Sequence, residues 1–125
     1  MTNVRLDANG LPKAPVYDPT AQAVHRAGVT AVDAADPAVD AGIDTQGYEE
    51  CRLDLDISAV GLTSLRVGVL FWNSRLGAWF LGGEREFTAP GRQSLVVACR
   101  GQRAFLKVLS FSGTSFTLNV DYCLS

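Results

Sequence analysis

The chain has 125 residues, 47% of them hydrophobic and 19% charged, with a formal net charge of −2. That balance fits one globular domain with an appendage and argues against global disorder. It holds no run of about 20 apolar residues to cross a bilayer and no basic stripe to neutralise phosphates, so neither a membrane nor a nucleic acid is expected as partner.

Residues 1–47 read as an extended arm and residues 48–125 as a folded β domain. Of the aromatic residues only Tyr17 precedes Gly47, and all but one of the prolines fall at or before Pro37. The arm carries six acids against three bases, the body seven against eight. The first residues, Met1 to Asp7, lack the apolar stretch of a secretory signal, so synthesis and folding in a cytoplasm with reduced thiols is expected.

Within residues 1–20, Asn9-Gly10, Pro12, Pro15 and Asp18-Pro19 are turn and extended-chain signals. The alanine-rich stretch that follows allows a short helix over Thr20–Ala27 ended by Gly28. From Ala31 to Asp44 small apolar residues alternate with aspartate. Such a segment is either a linker or an extended strip laid along a neighbour. The second reading is preferred, because the arm has too few large apolar groups to offset its own ordering entropy. Val29, Val32, Val39 and Ile43 would then be its shallow anchors.

From Tyr48 onward the period of two is strong. Cys51, Leu53, Leu55 and Ile57 alternate with Arg52, Asp54 and Asp56 in the first strand. Leu65–Trp72 follows, then a hairpin loop at Asn73–Gly77. Ala78–Leu81 and Glu84–Thr88 read as two short strands parted by Gly82-Gly83. Ser94–Cys99, Ala104–Phe111 and a last strand with Phe116, Leu118, Val120, Tyr122 and Leu124 facing inward complete the set. Seven strands with such frequent turns and no amphipathic helix predict an all-β fold, an antiparallel β-sandwich of jelly-roll-like topology.

The candidate chemical groups are sparse. His25 has no patterned nucleophile or carboxylate partner and is expected to pack at a surface or interface. Asp54 with Asp56, and Glu84 with Glu86, lie two apart on solvated strand faces, where carboxylates ordinarily maintain solubility. Cys51, Cys99 and Cys123 have no metal-site spacing and read as small buried apolar groups. The chain is therefore expected to be non-enzymatic, with no metal or cofactor. The cluster Phe71, Trp72, Trp79 and Phe80 flanks one hairpin. Three readings stay open for Trp72 and Trp79: a platform for a sugar ring, an anchor at a subunit interface, or residues covered by the arm.

The run from Ala104 to Tyr122, with its Ser112-Gly113-Thr114-Ser115 turn, and the step Ile43-Asp44-Thr45-Gln46-Gly47-Tyr48 resemble small virion proteins of tailed bacteriophages. The resemblance implies a structural component of a phage-like particle: a head decoration or cement protein, a fibre or a tail-associated subunit. It implies location on the virion after synthesis in the host, the major capsid protein or other virion subunits as partners, and homo-oligomers on the particle. Decoration and cement proteins often staple neighbours with an arm, by adding its backbone to a partner sheet. A glycan bound by exposed aromatics is the alternative, and no catalytic motif comes with the likeness.

Overall fold

The computed structural model describes residues 22–125, so the readings made for residues 1–21 lie outside it. The alternating segments form strands as expected: β2 (Glu50–Val60), β3 (Ser64–Asn73), β5 (Gly91–Ala98), β6 (Ala104–Ser112) and β7 (Ser115–Leu124). Two elements differ from expectation. Residues Gln22–Val29 form a strand, β1, and no helix. The stretch Ala78–Phe87 is one continuous strand, β4. Gly82 interrupts only its register with β3, at the irregularity between Val69 and Leu70. A Cβ on Gly82 would collide with the Phe71 ring, so this glycine marks a close approach inside a strand and does not end it.

The strands form two antiparallel sheets, ordered β1-β7-β2-β5 and β4-β3-β6. This is the strand order of a jelly roll with one place vacant. The second of its usual eight strands, which would lie beside β6, is missing, and residues 30–43 run through that place. They form a short 3₁₀ turn at Val39–Ala41 and a single bridge from Ile43 to Ala104.

The inward sets expected from the sequence meet between the sheets. Leu53, Leu55 and Ile57 of β2 and Phe116, Leu118 and Val120 of β7 pack against Leu65, Val67 and Val69 of β3 and Leu106 and Val108 of β6. A smaller apolar cluster, Leu70, Trp79 and Phe105 with Trp72 beside it, is set apart from this core.

Candidate functional site

A sandwich of this kind ends in four edge strands, and each edge offers unpaired backbone groups to another chain. One flank is closed by the segment that leaves β1. Asp33 is the centre of the seal. Its N–H donates to the Val108 carbonyl at 3.1 Å, and its Oδ2 accepts the Val108 N–H at 2.7 Å. Arg26 grips both Asp33 oxygens, at 2.6 and 2.9 Å, and donates to the Leu106 carbonyl at 3.2 Å. His25 accepts the Leu106 N–H on Nε2 at 3.0 Å. Ile43 completes the row, exchanging backbone bonds of 2.7 and 3.2 Å with Ala104. The outer edge of β6 is thus satisfied by the His25 and Arg26 side chains of β1 together with the Asp33 side chain and the Asp33 and Ile43 backbone of the segment that follows it. Phe105 serves as its floor, with His25 edge-on at 5.0 Å and the Arg26 guanidinium 4.9 Å from the ring centre.

Electrostatics follow from this geometry. Burial would raise the Asp33 carboxyl, but the Arg26 bonds and the Val108 amide outweigh it and hold its pKa below the ordinary carboxylate value. His25 goes the other way for a base: burial first, then the adjacent Arg26 charge, lower its pKa from 6.5 to about 4. An imidazolium could not accept the Leu106 amide. The sign is therefore fixed. Above pH 6.5 the imidazole is neutral in both folded and unfolded chains, and stability is complete. Between pH 6.5 and 4 the unfolded chain binds a proton that the folded chain refuses, so stability falls, by about 2 kcal/mol after allowing for partial exposure. Asp33 adds its own loss only below the ordinary carboxylate range. Chemical denaturation of wild type and His25→Gln across this range checks the assignment. The Gln variant is expected to lose the slope, since an amide oxygen can accept the same N–H at every pH.

The same segment covers the aromatic cluster. The Trp79 indole N–H donates to the Pro37 carbonyl at 2.8 Å, and Gly42 lies against the ring so closely that a Cβ would sit 2.7 Å from Cη2. Trp79 is 9% exposed. Trp72 packs against it in a T-shape at 5.3 Å. Trp72 keeps a half-open side on a cleft of about 510 Å³ shared with Val39, Arg75, Gln102 and Arg103.

The opposite flank is open. There β4 and β5 end their sheets, and the gap between them, about 170 Å³, is lined by Val67, Val69, Gly83, Leu95, Val96 and Val97 and by the charged Glu84 and Arg85. Phe80 and Leu81 of β4 stand 49% and 50% exposed, and Val96 of β5 is exposed as well.

The anchors proposed from sequence divide accordingly. Ile43 (4% exposed) and Trp79 are used within this chain, Val29 packs against the core, and Val32 and Val39 face outward. The edge position of Phe80, Leu81 and Val96 is not legible in the sequence, because it depends on strand order.

Three of the four candidate carboxylates are engaged in ordinary pairs. Glu84 meets Arg66 at 3.1 Å, Glu86 accepts from Ser64 at 3.0 Å, and Asp54 accepts from Ser94 at 2.7 Å and pairs with Arg52 at 3.1 Å. Burial, with the neighbouring Cys99 and Cys123 thiols, pushes Cys51 up to about 12, far from a reactive thiolate. Among the described residues no three His, Cys, Asp or Glu side chains gather as a metal site.

No known protein family and no curated protein matches the chain. Among solved structures it is similar to the SPBc2 prophage-derived protein YomS, with a TM-score of 0.54 at 14% sequence identity, over 90% of this chain and 98% of that one. At this identity the likeness is one of fold, and it extends over nearly the whole of both chains.

Proposed function

We propose that the chain is a non-enzymatic structural subunit of a phage-like particle, decorating or cementing its capsid against the major capsid protein. The observation that carries this reading is the near end-to-end fold likeness to a prophage-derived protein. A fold alone does not assign a function, but two features of this chain support the same direction. The candidate carboxylates Asp54, Glu84 and Glu86 are engaged in structural pairs, and part of the exposed apolar surface, Val24, Phe80, Leu81 and Val96, lies on edge strands, where contacts between proteins form. With residues 22–43 built into the chain's own sandwich, attachment falls to the outward Val32 and Val39 and to the stretch before Gln22. Many weak contacts repeated over a symmetric shell sum to firm binding.

The test is peptide mass spectrometry on density-purified particles, with copy number taken relative to the major capsid protein. Copies comparable to the capsid protein are expected. A handful per particle would overturn the decoration role in favour of a tail or fibre position, and absence from particles would overturn the reading altogether.

A further inference from the structure

We propose that the cleft at Trp72 is a binding site for a sugar ring that carries a carboxylate, the acidic unit of a surface glycan.

The cleft lies at one end of the sandwich. Trp72 stands near the end of β3, Arg75 in the loop to β4, Gln102 and Arg103 in the loop before β6, and Val39 in the 3₁₀ turn. The loops are fixed by the chain's own bonds. The Trp72 N–H donates to the Arg103 carbonyl at 3.0 Å, the Gly77 N–H to the Asn73 carbonyl at 2.8 Å, and the Gly101 and Gln102 N–H groups to the Tyr48 and Cys99 carbonyls, both at 2.9 Å. Asn73 Oδ1 accepts the Arg75 and Leu76 N–H groups at 3.1 and 3.0 Å. The Gln102 carbonyl accepts the hydroxyl of the buried Thr45. The cleft is therefore preformed, and these loop amides are already spent. An added peptide strand needs free backbone groups, and phosphate sites ordinarily draw on a nest of free amides. Recognition here falls to side chains.

Those side chains select the ligand. Arg26, Arg52, Arg66 and Lys107 each meet a carboxylate elsewhere in the fold. No acidic residue lines this cleft. Among the described residues the Arg75 guanidinium has no partner, and neither has the Trp72 indole N–H, whereas that of Trp79 is bonded to Pro37. Arg103 gives one nitrogen to the Gly42 carbonyl at 3.3 Å. Two guanidinium groups without a carboxylate favour an anion, and their planar fork fits a carboxylate in particular. The partly exposed indole favours an apolar face with polar groups around it. A carboxylated pyranose joins both features in one unit, and the cleft, about 510 Å³, is of the size that holds small ligands. This goes beyond the particle reading and does not depend on it, since binding is measured on the isolated chain.

The test is a heteronuclear NMR titration of the whole chain with sialyllactose and with a galacturonate trimer, beside lactose and AMP. Trp72→Phe tells the two indole signals apart. At least one acidic glycan is expected to shift the Trp72 signal saturably, with a millimolar or lower dissociation constant, and which one responds separates a sialate from a uronate source. Lactose should bind at least tenfold more weakly. Arg75→Gln, which removes a side chain bonded to nothing in the chain, should weaken binding about tenfold. Arg92→Gln, an exposed base of β5 that does not line the cleft, should bind as wild type. No saturable shift with either acidic glycan, lactose binding as tightly as they do, AMP binding more tightly, or Arg75→Gln binding as wild type would each overturn the proposal.

Discussion

Val120→Asp is expected to leave no stable folded chain at 25 °C. Val120 is 0% exposed and lies on β7 between Arg26 of β1 and Leu55 of β2, with its side chain in the core. The substitution removes a branched apolar group and puts a carboxyl where no described polar side chain waits for it. Lost packing and the buried charge together cost about 5 kcal/mol, within the 5 to 15 kcal/mol by which such domains are stable. Near-ultraviolet circular dichroism, which reads the packing of Trp72 and Trp79, should collapse. The neighbouring Asn119→Asp is the control. Asn119 is exposed, and its Oδ1 accepts the Gly28 N–H at 2.8 Å, a bond that a carboxylate also makes. Its effect should stay within about 0.5 kcal/mol. An unchanged melting temperature for Val120→Asp would contradict the inward assignment of the whole strand.

Asp33→Ala is expected to cost about 3 kcal/mol, roughly 10 °C in melting temperature for a chain of this size. The loss is large because two groups are stranded together. The Arg26 guanidinium, with its side chain 19% exposed, loses its counter-charge, and the Val108 N–H loses its acceptor. Asp33→Asn should cost less, since it keeps an acceptor for the amide and removes only the charge. Arg26→Ala with Asp33→Ala should cost clearly less than the two single changes added together, because the partners lie in one network. The segment that carries Asp33 also covers Trp79, so Asp33→Ala should shift tryptophan emission to the red. Additive costs and unchanged emission would mean that the segment is held by something other than this cluster.

The strands that could be read from the chain are those whose two faces see different solvents. Cys51 to Ile57 and Phe116 to Leu124 alternate because one side is core and the other water, and the structure places them so. β1 could not be read in this way. In QAVHRAGV only Val29 packs on the core, so the strand is specified by the free edge of β7 and hardly by its own pattern. Gly82-Gly83 misled for a local reason, since the Phe71 ring that requires Gly82 belongs to another strand. Of the three readings open for Trp79, cover by the chain's own N-terminal segment is the one realised, through a carbonyl at Pro37 that composition does not reveal. The role of His25 was equally hidden, because its partner amide at Leu106 lies 81 residues away. Phe80 stood out as an aromatic, but whether β4 is a sheet edge depends on strand order, which no single strand encodes.

The central structural claim is that residues 22–43 close the β6 flank and leave the β4 flank free. Residue-resolved amide hydrogen exchange under native conditions tests it most directly. The Leu106 and Val108 amides, which point at His25 and Asp33, are expected to be protected to nearly the level of the central strand β3, and to lose that protection in Asp33→Ala. Exchange of these two amides in the wild type at the rate of an open sheet edge would contradict the account.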